Sequence, residues 1–76
     1  MTTDAFNQLV SDVLDLNMDS IDLNLKPGDV ENWDSQKHVL LLMAAEESFD
    51  VAFSDQEMIS VGSLQDLYDL IQRKLP

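Results

Sequence analysis

The chain has no cysteine and one histidine. Without thiols there can be no disulfide, no thiolate metal site and no cysteine nucleophile. One imidazole excludes a multi-histidine metal centre, so no metal site is expected. Basic residues are also scarce, 4 against 15 acidic ones, for a net charge of −11. Residues 1–34 hold eight acids and Lys26, a net −7; residues 35–76 hold seven acids against Lys37, Arg73 and Lys74, a net −4. Such a surface is repelled by nucleic-acid phosphates and anionic lipid and attracts basic protein surfaces. No apolar run approaches the ~18 residues of a membrane span. Met1-Thr2-Thr3-Asp4 lacks the basic and apolar regions of a signal peptide. The expectation is a soluble, cytoplasmic, monomeric protein with no nucleic-acid or membrane partner.

Its 76 residues fit one domain, 1–76, whose core supplies only ~3–5 kcal/mol of net stability. Hydrophobic residues make up 45% and recur periodically, which argues against disorder. Phe6, Leu9, Val10, Val13 and Leu14 form one helical stripe, predicting a helix over 3–16 with Thr3 as its cap. Residues 17–33 are a long connection. Lys26-Pro27-Gly28-Asp29 is turn chemistry, while Ile21, Leu23, Leu25, Val30 and Trp33 can pin the connection to a core. Ser54-Asp55-Gln56-Glu57 reads as a capping box opening a short helix, to about Ile59. Ser63 caps a last helix over 63–75, with Leu64, Leu67, Tyr68, Ile71 and Leu75 on one stripe. Val51-Ala52-Phe53 could be a strand but would have no partner. The predicted fold class is all-α: a small bundle of three main helices plus one short helix, with a long loop between the first two.

The second helix, predicted over 35–48, carries the functional signal. Asp34 is a good N-cap, which puts Ser35 in the first turn beside the positive end of the helix dipole. A phosphate attached there would be stabilised by that dipole and by unpaired amides. From Val39 to Ala45 seven residues in a row are apolar, and on one helix they cannot all face one side. Leu40, Met43 and Ala44 are expected outward as a docking patch flanked by Glu46 and Glu47. Val39, Leu41, Leu42, Ala45 and Phe49 are expected on the core side. Trp33 either packs beneath the helix start and orients Ser35 or simply fills the loop.

Three competing motifs are weaker. Asp19-Ser20 also offers a serine behind an aspartate, but Pro27 breaks any helix begun there. Asp15, Asn17, Asp19 and Asp22 hint at a calcium loop, yet the positions that need Gly and Glu hold Ser20 and Lys26. His38 lies three residues after Ser35, but a hydrolase also needs an orienting carboxylate, an oxyanion hole and a pocket.

Asp34-Ser35, Met43-Ala44, Glu46-Glu47, Phe49-Asp50, Asp55-Gln56-Glu57 and Ser63-Leu64, at this spacing and over essentially the whole chain, resemble acyl carrier proteins. The Trp33-Asp34-Ser35 beginning and His38 look like free-standing carriers of specialised pathways. The resemblance implies a non-catalytic carrier. Ser35 would hold 4′-phosphopantetheine, attached covalently from coenzyme A by a phosphopantetheinyl transferase, and the arm's thiol would bear an acyl or aminoacyl thioester. It implies partners with basic docking surfaces: acyl- or aminoacyl-loading and acyl-transfer enzymes. Their contact residues would be Asp34, Gln36, Lys37, Leu40, Met43, Ala44, Glu46 and Glu47. The family usually has Leu after the serine, where this chain has Gln36, and commonly acidic positions carry Lys37 and Leu40. The alternative is an unmodified acidic helical interaction module of the same fold.

Overall fold

A short polar residue opens each of the last three helices. In the computed structural model, which describes residues 3–75, α1 spans Thr3–Leu14, α2 Ser35–Phe49, α3 Asp55–Ser60 and α4 Leu64–Lys74. Asp34, Ser54 and Ser63 each accept an amide N–H of the following first turn through a side-chain oxygen, on Lys37, Glu57 and Asp66 respectively. Around Ser54 the box is complete, because the Glu57 carboxylate accepts the Ser54 N–H at 2.8 Å. The architecture is the all-α bundle of three main helices and one short one, with no strand among the described residues. Val51-Ala52-Phe53 is irregular backbone, and the buried Phe53 ring anchors it.

Helix ends depart from expectation most at α1; α2 runs one residue past the predicted 48, and α4 is one residue shorter at each end than the predicted 63–75. α1 stops at Leu14 rather than continuing to residue 16, and Thr3 is already helical rather than a cap. The stop is conformational. Asp15 adopts a left-handed φ of 55°, and the Leu16 N–H reaches back to the Ser11 carbonyl at 3.2 Å. α2 ends the same way, with Asp50 at φ 53° and Val51 N–H on the Glu46 carbonyl at 3.1 Å. Both are Schellman closures with aspartate at the position usually held by glycine. Aspartate is among the few residues with a side chain that visit this region readily.

The connection between α1 and α2 is organised by its own polar side chains. It holds two 3₁₀ turns, Met18–Ser20 and Pro27–Asp29, so Pro27 opens a turn. Asn17 accepts the Asp19 N–H and Asp22 the Asn24 N–H. Ile21, Leu23 and Leu25 alternate inward and lie half-buried against the core, while Val30 and Trp33 are buried. The loop also finishes two helices. Asn32 donates to the Leu14 carbonyl at the end of α1, and the Leu25 and Leu23 carbonyls accept the Leu64 and Gln65 amides at 3.0 and 2.8 Å. Those amides are orphan donors at the start of α4.

The core joins Phe6, Val10 and Leu14 of α1 to Leu41, Leu42 and Ala45 of α2 and to Leu64, Leu67, Leu70 and Ile71 of α4. Leu70 extends the α4 stripe beyond the positions predicted, and Tyr68 sits half-buried, its ring edge-on to Phe6 at 5.2 Å. Val39 is the clearest correction, because it is 50% exposed rather than on the core side. At about 100° per residue it lies ~160° around the helix from Leu41, whereas Leu42, Ala45 and Phe49 fall within ~100° of it.

α3 meets α4 through Lys74, whose ammonium lies 2.8 Å from the Glu57 carboxylate. The Lys74 hydrogen bond, then the Ser54 backbone N–H, lowers the Glu57 pKa from its ordinary 4.5. A carboxyl depressed in the folded chain stabilises the fold above its unfolded value. That contribution disappears as pH falls through the folded value. Replacing Glu57 with Gln keeps an amide capable of the box but removes the charge. Thermal melts should therefore show Glu57→Gln less stable than the parent at neutral pH, with the gap closing as pH drops below 4.5. A gap that is constant with pH would show that the charge contributes nothing.

Candidate functional site

The start of α2 combines a free hydroxyl with free amides. Asp34 is in extended backbone and its Oδ1 accepts the Lys37 N–H at 2.9 Å, while its carbonyl accepts the His38 N–H at 2.9 Å. The first two helical amides, of Ser35 and Gln36, have no acceptor among the described residues. Ser35 is exposed, so its hydroxyl stands at the positive end of a 15-residue helix with unpaired N–H groups beside it. That arrangement favours an anion bonded to Ser35. Ser20, by contrast, closes a three-residue 3₁₀ turn that leads into loop.

Trp33 determines what lies beneath. It is 3% exposed, and its ring stacks on His38 with centroids 6.0 Å apart and planes 19° from parallel. The indole Nε1–H donates to His38 Nδ1 at 3.1 Å. An indole nitrogen only donates, so Nδ1 is the bare nitrogen and the ring proton is on Nε2. Nε2–H then donates to the Met58 carbonyl at 3.1 Å. Both ring nitrogens are therefore occupied, and neither faces Ser35 as a base.

The predicted site residues divide along the helix. Gln36 is exposed, Lys37 half-buried, and Leu40 and Met43 are 52% and 55% exposed. Leu41, Leu42 and Ala45 between and beyond them are buried. Ala44 is half-buried and Glu47 exposed, so both lie on or beside the outward face. Glu46 also braces the backbone: its carboxylate accepts the Phe53 N–H at 2.8 Å and holds the turn after α2. Lys37 and Leu40 adjoin Ser35 without a neighbouring acid on α2, since the acids of this helix are Glu46 and Glu47.

Two apolar residues enlarge this face beyond what the residues alone indicate. One is Val39; the other is Ile59 on α3, 82% exposed. Shallow hollows meet at Val39. One beside Ser35 is lined by Pro27, Trp33, His38 and Val61. A second runs past Gln36 and Leu40. The third, about 400 Å³, lies between α2 and α3 and is lined by His38, Val39, Leu42, Asp55, Met58 and Ile59. An apolar track thus leads from Ser35 along α2 to α3. Helical periodicity could have revealed Val39; the exposure of Ile59 depends on where a short helix comes to rest.

No family model matches the chain, and no curated protein matches it either.

The division of α2 generates a direct test. Leu40→Glu should leave the bundle folded, with stability changed by no more than ~0.5 kcal/mol, because an exposed position tolerates charge. The neighbouring Leu41→Ala should cost ~2–5 kcal/mol through its cavity, enough to unfold much of so small a domain. Circular-dichroism melts of the two variants check this, and comparable losses in both would mean that the helix faces are assigned wrongly.

Proposed function

We propose that this chain is a carrier of the acyl carrier protein type: Ser35 bears a 4′-phosphopantetheine arm whose thiol holds an acyl or aminoacyl group as a thioester. The observation that carries the reading is Ser35 itself, an exposed serine on a capped helix start with two free amides beside it. It agrees with the motif resemblance of the sequence. In the loading step the Ser35 oxygen attacks the β-phosphorus of coenzyme A. A new O–P bond forms, the pyrophosphate link breaks, adenosine bisphosphate leaves, and the serine proton passes to a base on the phosphopantetheinyl transferase. The carrier need supply only an accessible hydroxyl. The occupied nitrogens of His38 support a carrier without catalytic chemistry of its own.

Asp34, Gln36, Lys37, Leu40, Met43 and Ala44, with Glu47 at the far end, form the docking face for the transferase and for loading and acyl-transfer enzymes. Glu46 contributes charge to that face while bracing the turn behind it. The net charge of −11 suits partners with basic surfaces, which it steers into encounter. Gln36, in place of the family's usual Leu, favours a second reading in which the same apolar face binds a basic partner and Ser35 stays unmodified.

Incubation with coenzyme A and a broad-specificity transferase separates the two. The carrier reading expects the intact mass to rise by one phosphopantetheine, with the addition mapped to Ser35 and abolished in Ser35→Ala. Modification persisting in that variant, or lost in a folded Ser20→Ala, would overturn the assignment. No addition to the parent chain would favour the interaction module.

A further inference from the structure

α3 is held to the rest of the molecule in an unusual way. Its six residues contribute no fully buried side chain to the core. Its own apolar anchor is the half-buried Met58, and the buried ones flank it, Phe53 before and Val61 after, 8% and 5% exposed. Between them the helix is tied by polar contacts on its two sides. Glu57 pairs with Lys74 of α4, and the Met58 carbonyl accepts from His38 of α2. That carbonyl is among the last four of α3 and would be an orphan of the helix end. The N–H that would otherwise close on it, of Gly62, is directed instead to the Asp66 carboxylate at 3.0 Å. His38 therefore acts as the C-terminal cap of a helix 20 residues away.

We propose that His38 is a latch: it holds α3 against α2 and so sets the width of the groove that leads away from Ser35. The geometry makes the latch two-sided. Trp33 N–H fixes the imidazole with Nδ1 bare, and this leaves Nε2–H for Met58. The groove it closes is walled by Val39 and Leu42 on one side and by Met58 and Ile59 on the other. Breaking the single His38–Met58 hydrogen bond removes the polar tie of α3 to α2, so that α3 can shift between Phe53 and Val61 with only the half-buried Met58 side chain and Lys74 still holding it. Trp33, at the other end of the relay, borders both Asp34 and Ser35 in the adjoining hollow. Opening of the groove is thus linked to the residue under the attachment serine. That this opening admits cargo carried on Ser35 rests on the carrier reading; the latch itself does not.

Two substitutions separate a latch from mere packing. In His38→Asn the shorter amide keeps an acceptor near the Nδ1 position for Trp33 but does not reach Met58. In His38→Gln the longer amide places an N–H₂ near the Nε2 position. Hydrogen exchange on the unmodified full chain should show amides of 55–60 exchanging about three- to ten-fold faster in His38→Asn, the range expected from one lost hydrogen bond. Rates in α1, α2 and α4 should be unchanged, and His38→Gln should return α3 to the parent rate. Unchanged α3 exchange in His38→Asn, equal acceleration of all four helices, or failure of Gln to restore α3 would each overturn the latch. A measurement on the parent keeps the test decisive if a variant does not fold: nitrogen NMR of the imidazole should show the proton on Nε2, and a proton on Nδ1 would overturn the proposal. None of these readouts requires Ser35 to be modified, so they stand or fall separately from the carrier reading.

Discussion

Burial of one arc of α2 is the constraint on which the rest of this small structure depends. Leu41, Leu42 and Ala45 enter the core shared by α1 and α4 and are at most 1% exposed. α2 packs most extensively against α1. Once that arc is fixed, helical geometry dictates what points out. Leu40, Met43 and Val39 cannot follow their neighbours inward, because each is turned ~120° or more from Ala45 in the middle of that arc, whereas Leu41 and Leu42 lie within ~60° of it. An apolar face at the surface is therefore a direct result of a run of seven apolar residues on a helix only partly surrounded.

The polar contacts determine where that face begins and how it is framed. Asp34 stops the chain entering the helix and leaves Ser35 first in line, with Trp33 buried directly beneath. The long connection before it is not slack. It supplies capping groups to α1 and α4 and buries Val30 and Trp33. Glu46 and Glu57 follow the same pattern, each placing one carboxylate on a backbone amide at a turn. The acidic surface is thus partly structural, with the remaining charges free to act at a distance.

What can be read from the residues follows from how local each interaction is. Asp34, Ser54 and Ser63 are legible as caps because a cap and its amides lie within three residues. The separation of Leu40 and Met43 from Leu41 and Leu42 is legible because helical periodicity is local too. Asp15 is not legible as a stop, since the left-handed closure there is carried by an aspartate and the apolar stripe runs on to Leu16. Apolarity alone puts Val39 inward, although its angle from Leu41 argues otherwise. Nothing near His38 in sequence indicates that its partner is the Met58 carbonyl, nor near Leu23 and Leu25 that their carbonyls finish α4. Those contacts exist only once the helices are packed. The role proposed for Ser35 comes from its place behind Asp34 together with the resemblance, and the fold adds the free amides and the apolar track.

The outward face of α2, starting at Ser35, is proposed as the surface where other proteins meet this chain. Titrating isotope-labelled Ser35→Ala protein with a phosphopantetheinyl transferase, and following amide chemical shifts, tests it directly. Perturbations should concentrate on Asp34, Gln36, Lys37, Leu40, Met43 and Glu47, extend to Val39 and Ile59, and weaken as salt screens the acidic surface. Perturbations centred on α1 or on the exposed side of α4, with 34–47 unaffected, would contradict it.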